Sequence, residues 1–201
     1  GDGLSSISIF GDRKGVFYSL GMSPSFSPAV MSGTVEFFNQ LPATSWNVTA
    51  SAPFAFDTFG FPSSFSTWTR TLSAAPTSVT IPAIFHVSSL MYNSGTVTSS
   101  WVLSNSSAGK IGVVGFSNTL VADDRHWTIA LDPTTHSSWS ESDLTLPTEL
   151  SLAGRTAGGP SMIGYDFSYI STYANGLKAL YGTGVTPPAP PYDFAFAFIV
   201  P

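Results

Sequence analysis

Cysteine is absent from the 201 residues, which excludes zinc fingers, thiol nucleophiles and disulfide scaffolds. Charge is nearly as scarce. Only 9% of residues are charged, against about 25% in an average chain. Seven Lys plus Arg against twelve Asp plus Glu leave a net charge of −5, and duplex nucleic-acid binding needs clustered cations that displace counterions. No nucleic-acid partner is therefore expected. Long apolar runs are missing too: the longest, residues 111–116 and 194–200, are strand-sized, far below the ~18 residues of a membrane helix. No membrane insertion is expected. Gly1-Asp2-Gly3 carries no Met and no basic stretch ahead of an apolar run, so no signal peptide is read there. The chain reads as one domain, residues 1–201, excised from a longer precursor.

What is present is hydrophobic and aromatic. Hydrophobic residues make up 43% of the chain, including sixteen Phe, seven Tyr and five Trp. Disorder requires low hydrophobicity and high net charge, so a folded core is expected. Segments rich in Val, Ile, Thr and aromatics recur between Gly, Pro, Asn and Ser clusters, the all-β pattern. In residues 66–72, Trp68, Arg70 and Leu72 alternate with Thr67, Thr69 and Thr71, which puts the two sets on opposite faces of a strand.

Further strands are expected at 8–10, 15–22, 33–41, 46–52, 78–90, 96–103, 110–116, 126–131, 144–152, 162–170 and 194–200. Pro82 is placed at an edge, bulge or boundary because it lacks a ladder donor. Residues 93–95 and 105–109 read as hairpin connections. The fold class is all-β: an antiparallel sandwich or barrel of roughly ten to twelve strands, with at most one short helix. That helix is read at 172–181, from Tyr173, Leu177 and Leu180 at helical spacing and Gly182 as a stop. The last strand alternates Phe194, Phe196 and Phe198 with Ala195, Ala197 and Ile199. It is expected to be buried on both sides and to close the sheet.

No catalytic motif stands out. In the polar cluster Asp123, Asp124, Arg125, His126 and Trp127, followed by Asp132, His136 and Trp139, Asp123, Asp124, His126 and His136 can be read as a metal-ligand set, or His136 with Asp132 and a nearby serine as a nucleophilic arrangement. It fits a charged hairpin tip better, since turns favour Asp for local hydrogen bonds. His86 reads as a hydrogen-bonded residue in an apolar stretch. Glu36, Glu141, Asp143 and Glu149 could supply a glycosidase pair, but spacing alone brings no two of them together. The phosphate cradle and the nucleophile elbow are both missing. No catalytic residue, metal or cofactor is therefore assigned.

Binding fares better. The aromatic supply exceeds what a core of this size needs, and exposed apolar patches mark contact surfaces. Phe54, Phe56, Phe59 and Phe61, between Pro53 and Pro62, are expected to feed an interface between two copies. Trp139, in a serine-rich loop, and the 123–127 cluster are the expected contacts to a receptor or glycan. The sequons at Asn47 and Asn105 are glycan acceptors if the chain is secreted.

In length, composition and strand–loop rhythm, the whole chain resembles the dimeric capsid spikes of astroviruses and the related hepatitis E-like spikes of small non-enveloped RNA viruses. No diagnostic motif accompanies the resemblance, so it carries no site residue onto this sequence. It implies a non-enzymatic spike on the virion surface that attaches to a host-cell receptor, displays sites for neutralising antibodies and pairs as a homodimer over more than ~1,000 Å². A secreted carbohydrate-binding or adhesin module shares the same composition and is the alternative.

Overall fold

The computed structural model describes residues 6–14, 16–23, 35–37, 42–56, 62–84, 86–104, 111–118, 126–132, 135–145, 147–151, 157–182 and 184–199. Its strands are β1 (Ser6–Arg13), β2 (Val16–Ser23), β3 (Ser45–Phe56), β4 (Pro62–Leu72), β5 (His86–Asn93), β6 (Thr98–Ser104), β7 (Ile111–Asn118), β8 (His126–Leu131), β9 (Ser138–Ser140), β10 (Ala157–Phe167) and β11 (Tyr192–Ile199). Among the described residues one α-helix, α1, spans Tyr173–Leu180. Eight strands form an antiparallel sheet in the order β2-β1-β3-β4-β11-β10-β7-β8, and β5-β6-β9 form a second sheet. The all-β sandwich is the architecture. The ends of the large sheet do not pair with each other, so there is no closed barrel among the described residues. Nor, among them, is any helix long and apolar enough to cross a membrane.

Alternation sorts each strand of the large sheet into two faces. Inward point Ile7 and Ile9 of β1, Trp46, Val48, Ala50 and Ala52 of β3, Trp68 of β4, Ala195, Ala197 and Ile199 of β11, and Met162 of β10, all buried. Small residues dominate where the second sheet sits: Ala197, Ser64 and Ser66. That leaves room for the larger side chains of the facing sheet, Val87, Trp101 and Trp139, which close one core with Val97, Leu131, Met162 and Ile199. The Ser64 hydroxyl donates to the Val87 carbonyl at 3.0 Å, tying the sheets directly. The β5–β6 turn is held by Asn93, whose side-chain oxygen accepts from the Gly95 and Thr96 amides. It ends in Val97 at φ +47°, a costly left-handed conformation for a β-branched residue. Complete burial of the Val97 side chain in this core holds it there.

The second sheet covers only part of the inner face. Over β1 and β3 the cover is irregular chain: Val35, Phe37, Val79 and Ile81 pack against Ile7, Ile9, Trp46 and Val48. A side chain on Gly21 of β2 would meet the Glu36 carbonyl at 2.6 Å and Phe37 Cβ at 2.8 Å, so the bare backbone there lets residues 35–37 lie close.

Several expectations need correction. Residues 35–37 do not form the strand expected at 33–41; burying Val35 and Phe37 on a neighbouring sheet satisfies the same pattern. The strand expected from 78 begins only at His86, with residues 78–84, including Pro82, outside the ladder. The strand expected at 144–152 is replaced by 3-10 turns at Glu141–Asp143 and Thr148–Leu150. In the first, the Ser140 hydroxyl accepts from the Ser142 amide while the Asp143 carboxylate accepts from the Ser140 amide; such side-chain caps outcompete a strand. Residues 105–109, expected as a hairpin connection, lie outside the described residues; the strands on either side, β6 and β7, belong to different sheets. The helix forms where expected, with the Thr172 hydroxyl capping the Asn175 amide at 3.3 Å. Finally, β11 neither closes the sheet nor is buried on both sides. It lies between β4 and β10, with its alanines and Ile199 buried and its three phenylalanines only half-buried.

Candidate functional site

The half-buried phenylalanines of β11 mark the outer face of the large sheet. Register puts Tyr165 opposite Phe196, Phe167 opposite Phe194 and Ile163 opposite Phe198 across β10–β11. It puts Phe65 opposite Phe198 and Thr67 opposite Phe196 across β4–β11. Directly opposed residues share a face, so the rings form a continuous band. Centroid distances run from Tyr192–Tyr169 at 5.4 Å through Tyr169–Phe167 at 5.9 Å, Phe167–Phe194 at 5.0 Å and Phe194–Phe196 at 6.3 Å. The band continues to Phe65, 6.5 Å from Phe196 and 5.8 Å from Phe198. All lie within the 4.5–7 Å range of favourable ring pairs. At one end, α1 covers the band with Leu177 and Leu180, over Phe167 and Ile170. At the other end, Phe65, Phe196 and Phe198 stay half-buried.

On this face, β4, β11 and β10 carry no charge between Phe65 and Thr71, Tyr192 and Phe198, or Ile163 and Phe167. Beside the rings runs a column of hydroxyls. Thr49 and Thr69 are hydrogen-bonded at 2.9 Å, and the Thr71 hydroxyl donates to the Asn47 side-chain oxygen at 2.7 Å. The charges of these strands lie on the inner face. There Arg70 makes a two-pronged contact with Asp193, both distances 2.7 Å, and stacks over Trp68 at 5.2 Å. The pair raises the pKa of the Arg70 guanidinium, chiefly through the hydrogen bond to Asp193. The Ser168 hydroxyl accepts from the Asp193 amide at 2.8 Å and locks this end of β10 to β11.

Tyrosines concentrate at the covered end. Burial raises the phenol pKa values of Tyr165, Tyr169 and Tyr173, with nearby Tyr181, Tyr192 and Asp132 adding to it. In the second sheet burial raises Tyr92 likewise, with Glu141 adding. A raised phenol pKa means that the native state holds protons the unfolded chain releases. Stability is therefore complete below the ordinary phenol value of 10.0 and falls as pH climbs through the higher native values. Alkaline denaturation should set in above pH 10, with tyrosinate absorbance rising together with loss of β-sheet circular dichroism. Phenols that ionise fully at pH 10 in a still-folded protein would contradict this.

The residues expected from sequence fall differently. Phe54 and Phe56 belong to β3 and extend its ladder rather than a loop; their side chains, and all of Phe59 and Phe61, lie outside the described residues. So do Asp123, Asp124 and Arg125, while His126 and Trp127 open β8, opposite Ser117 and Phe116 of β7. Trp139 is a correction. It sits in β9 opposite Ser99, only 8% exposed, and is not presented on a loop. A strand one residue either side of it suffices to turn the ring inward. His86 is buried with Nδ1 3.3 Å from the Ile84 carbonyl, as expected of a structural histidine. His136 is exposed, and its Nδ1 lies 2.9 Å from the Thr135 hydroxyl and 3.2 Å from the Asp132 main-chain carbonyl, a local turn. Glu36 rides exposed on the segment over β1, whereas Glu141 and Asp143 follow β9 in the other sheet. No group of three His, Asp or Glu that could hold a metal occurs among the described residues. Asn47 is a partner of Thr71 on the outer face.

No family model, curated protein or solved structure matches the chain. The site therefore rests on its own geometry. Sequence reasoning saw the alternating phenylalanines of β11 but assigned the interface to the 54–61 segment. The missing information was the pairing of β11 with both β4 and β10, which gathers rings distant in sequence onto one face.

Proposed function

We propose that this is a non-enzymatic attachment domain that works as a pair, a capsid spike on the virion surface. Two copies pack their aromatic bands together, and the remaining surface meets a host-cell receptor, with glycan chemistry as the first candidate, and neutralising antibodies. The observation that carries the reading is the uncharged aromatic band on the outer face of the large sheet. Depletion of charge with enrichment of aromatics is the composition of an interface core, and a single face meeting its own copy gives a closed two-fold pair.

Sedimentation velocity at micromolar concentration tests it. The wild type is expected as a dimer. Thr67→Glu places a carboxylate opposite Phe196, within the band, where burying an unpaired charge costs several kcal/mol. Pairing should weaken by a factor of about 100, roughly 2.7 kcal/mol, with the circular dichroism spectrum unchanged. Met91→Glu, on the exposed outer side of β5, should leave pairing intact. A wild type that stays monomeric, or pairing indifferent to Thr67→Glu, refutes the paired spike. A monomer that binds glycans through Phe196 and the neighbouring hydroxyls would instead be the secreted carbohydrate-binding module.

A further inference from the structure

We propose that the cavity between β1 and β3 and the irregular chain covering them is a binding site for a small neutral amphiphile: a compact hydrocarbon body, one ring or a short chain, with a single uncharged polar head. The site is independent of the aromatic band, which lies on the opposite face of the same sheet. Its floor is the strand residues Ile7, Ile9 and Val48, and its walls are Val35, Phe37, Val79 and Ile81 of the covering chain. The floor residues are 8%, 5% and 4% exposed and belong to paired strands, so the base is rigid. The walls carry no ladder.

Size and lining together define the ligand. The cavity holds about 250 Å³, opens to solvent on one side, and exposes polar and apolar lining in about equal measure. An engineered apolar cavity of about 150 Å³ stays dry and takes benzene, and drug-sized ligands need about 300–1,000 Å³. One substituted ring or a short alkyl chain therefore fits. Pro76, Thr77 and Ser78 complete the lining, and the two hydroxyl residues are exposed, so they can meet a polar head while the aliphatic side chains of the strands meet the hydrocarbon. None of the lining residues is titratable. A carboxylate, phosphate or ammonium head would enter without a counter-charge, and an unpaired charge is costly to desolvate. The wall segment's one ionisable residue, Glu36, is exposed and would repel an anion.

Three probes that share a ring and differ in head charge test this on the whole chain: benzyl alcohol, benzoate and benzylammonium. Methyl NMR shifts of Ile7, Ile9, Val48, Val79 and Ile81 provide the readout. Benzyl alcohol should shift these methyls saturably, and the two ions should bind at least ~10-fold more weakly. Val48→Phe fills the floor and should weaken benzyl alcohol binding by at least ~10-fold. Val79→Phe, on the wall, should do the same, and it decides the matter if Val48→Phe fails to fold. Absence of saturable shifts at these methyls overturns the site, and equal binding of benzoate overturns its selectivity for a neutral head. Undiminished binding in the folded filled variants places the ligand elsewhere and overturns the assignment. Each of these results is separable from the pairing test, because Thr67 lies on the other face.

Discussion

A chain that stops at Pro191 should show no cooperative unfolding transition. The deletion removes β11, which runs antiparallel to β4 from Tyr192↔Thr71 to Ile199↔Ser64 and to β10 from Phe167↔Phe194 to Met162↔Ile199. Without it the large sheet falls into β2-β1-β3-β4 and β10-β7-β8. Each hydrophobic cluster loses a member as well: Ala197 and Ile199 from the core between the sheets, Ala195 from the core under β1 and β3, and Phe194 from the cluster beneath α1. The Arg70–Asp193 pair goes too. Two new sheet edges and three opened cores together exceed the 5–15 kcal/mol that a domain typically has. Circular dichroism through a urea titration checks it. The full-length chain should give one sigmoidal transition and the shortened chain a sloping line; a sigmoid from the shortened chain would sink the claim that β11 joins the halves.

How far this fold was legible in the sequence depends on whether the deciding interaction was local. The β4 alternation was readable because a strand with one buried face announces itself in seven residues: Trp68 is buried inward while Thr67 and Thr69 line the outer face. The helix was readable because its cap, Thr172, and its apolar positions lie within ten residues of each other. Residues 144–152 read as a strand, but Ser140, Asp143 and Pro147 supplied turn chemistry that won locally. Val35 and Phe37 alternate like strand residues and bury like them, yet they cover a sheet rather than join one. The central place of β11 could not be read at all. It depends on pairing with residues more than a hundred positions earlier, and nothing in Phe194–Ile199 names Phe65 as a neighbour. The candidate site failed for the same reason. Its rings come from β4, β10 and β11, and only tertiary register assembles them, whereas the sequence offered the local density of Phe54 to Phe61.

Trp139→Ala should lower the unfolding free energy by about 3–5 kcal/mol, the usual cost of truncating a buried large aromatic. β9 is only three residues long. With only Ser138, Trp139 and Ser140 in the strand, Trp139 is its one inward side chain, packed with Val97, Trp101 and Leu131. The strand is held besides by its pairing to Thr98, Ser99 and Ser100, by the Trp101 amide donating to the Ser137 carbonyl at 3.0 Å and by the Glu141 amide donating to the Val97 carbonyl at 3.1 Å. Removing the indole leaves a cavity that the adjoining β5–β6 hairpin cannot collapse into, because Val97 already holds a left-handed backbone there. Trp139→Phe keeps most of the ring and should cost markedly less. A ring exposed for stacking on a sugar would give the opposite pattern: ligand affinity lost and the denaturation midpoint unmoved. The measurement is therefore chemical denaturation of both variants. A loss below about 1 kcal/mol for the alanine variant, within reach of ordinary surface substitutions, would return Trp139 to the surface and reopen it as a receptor contact.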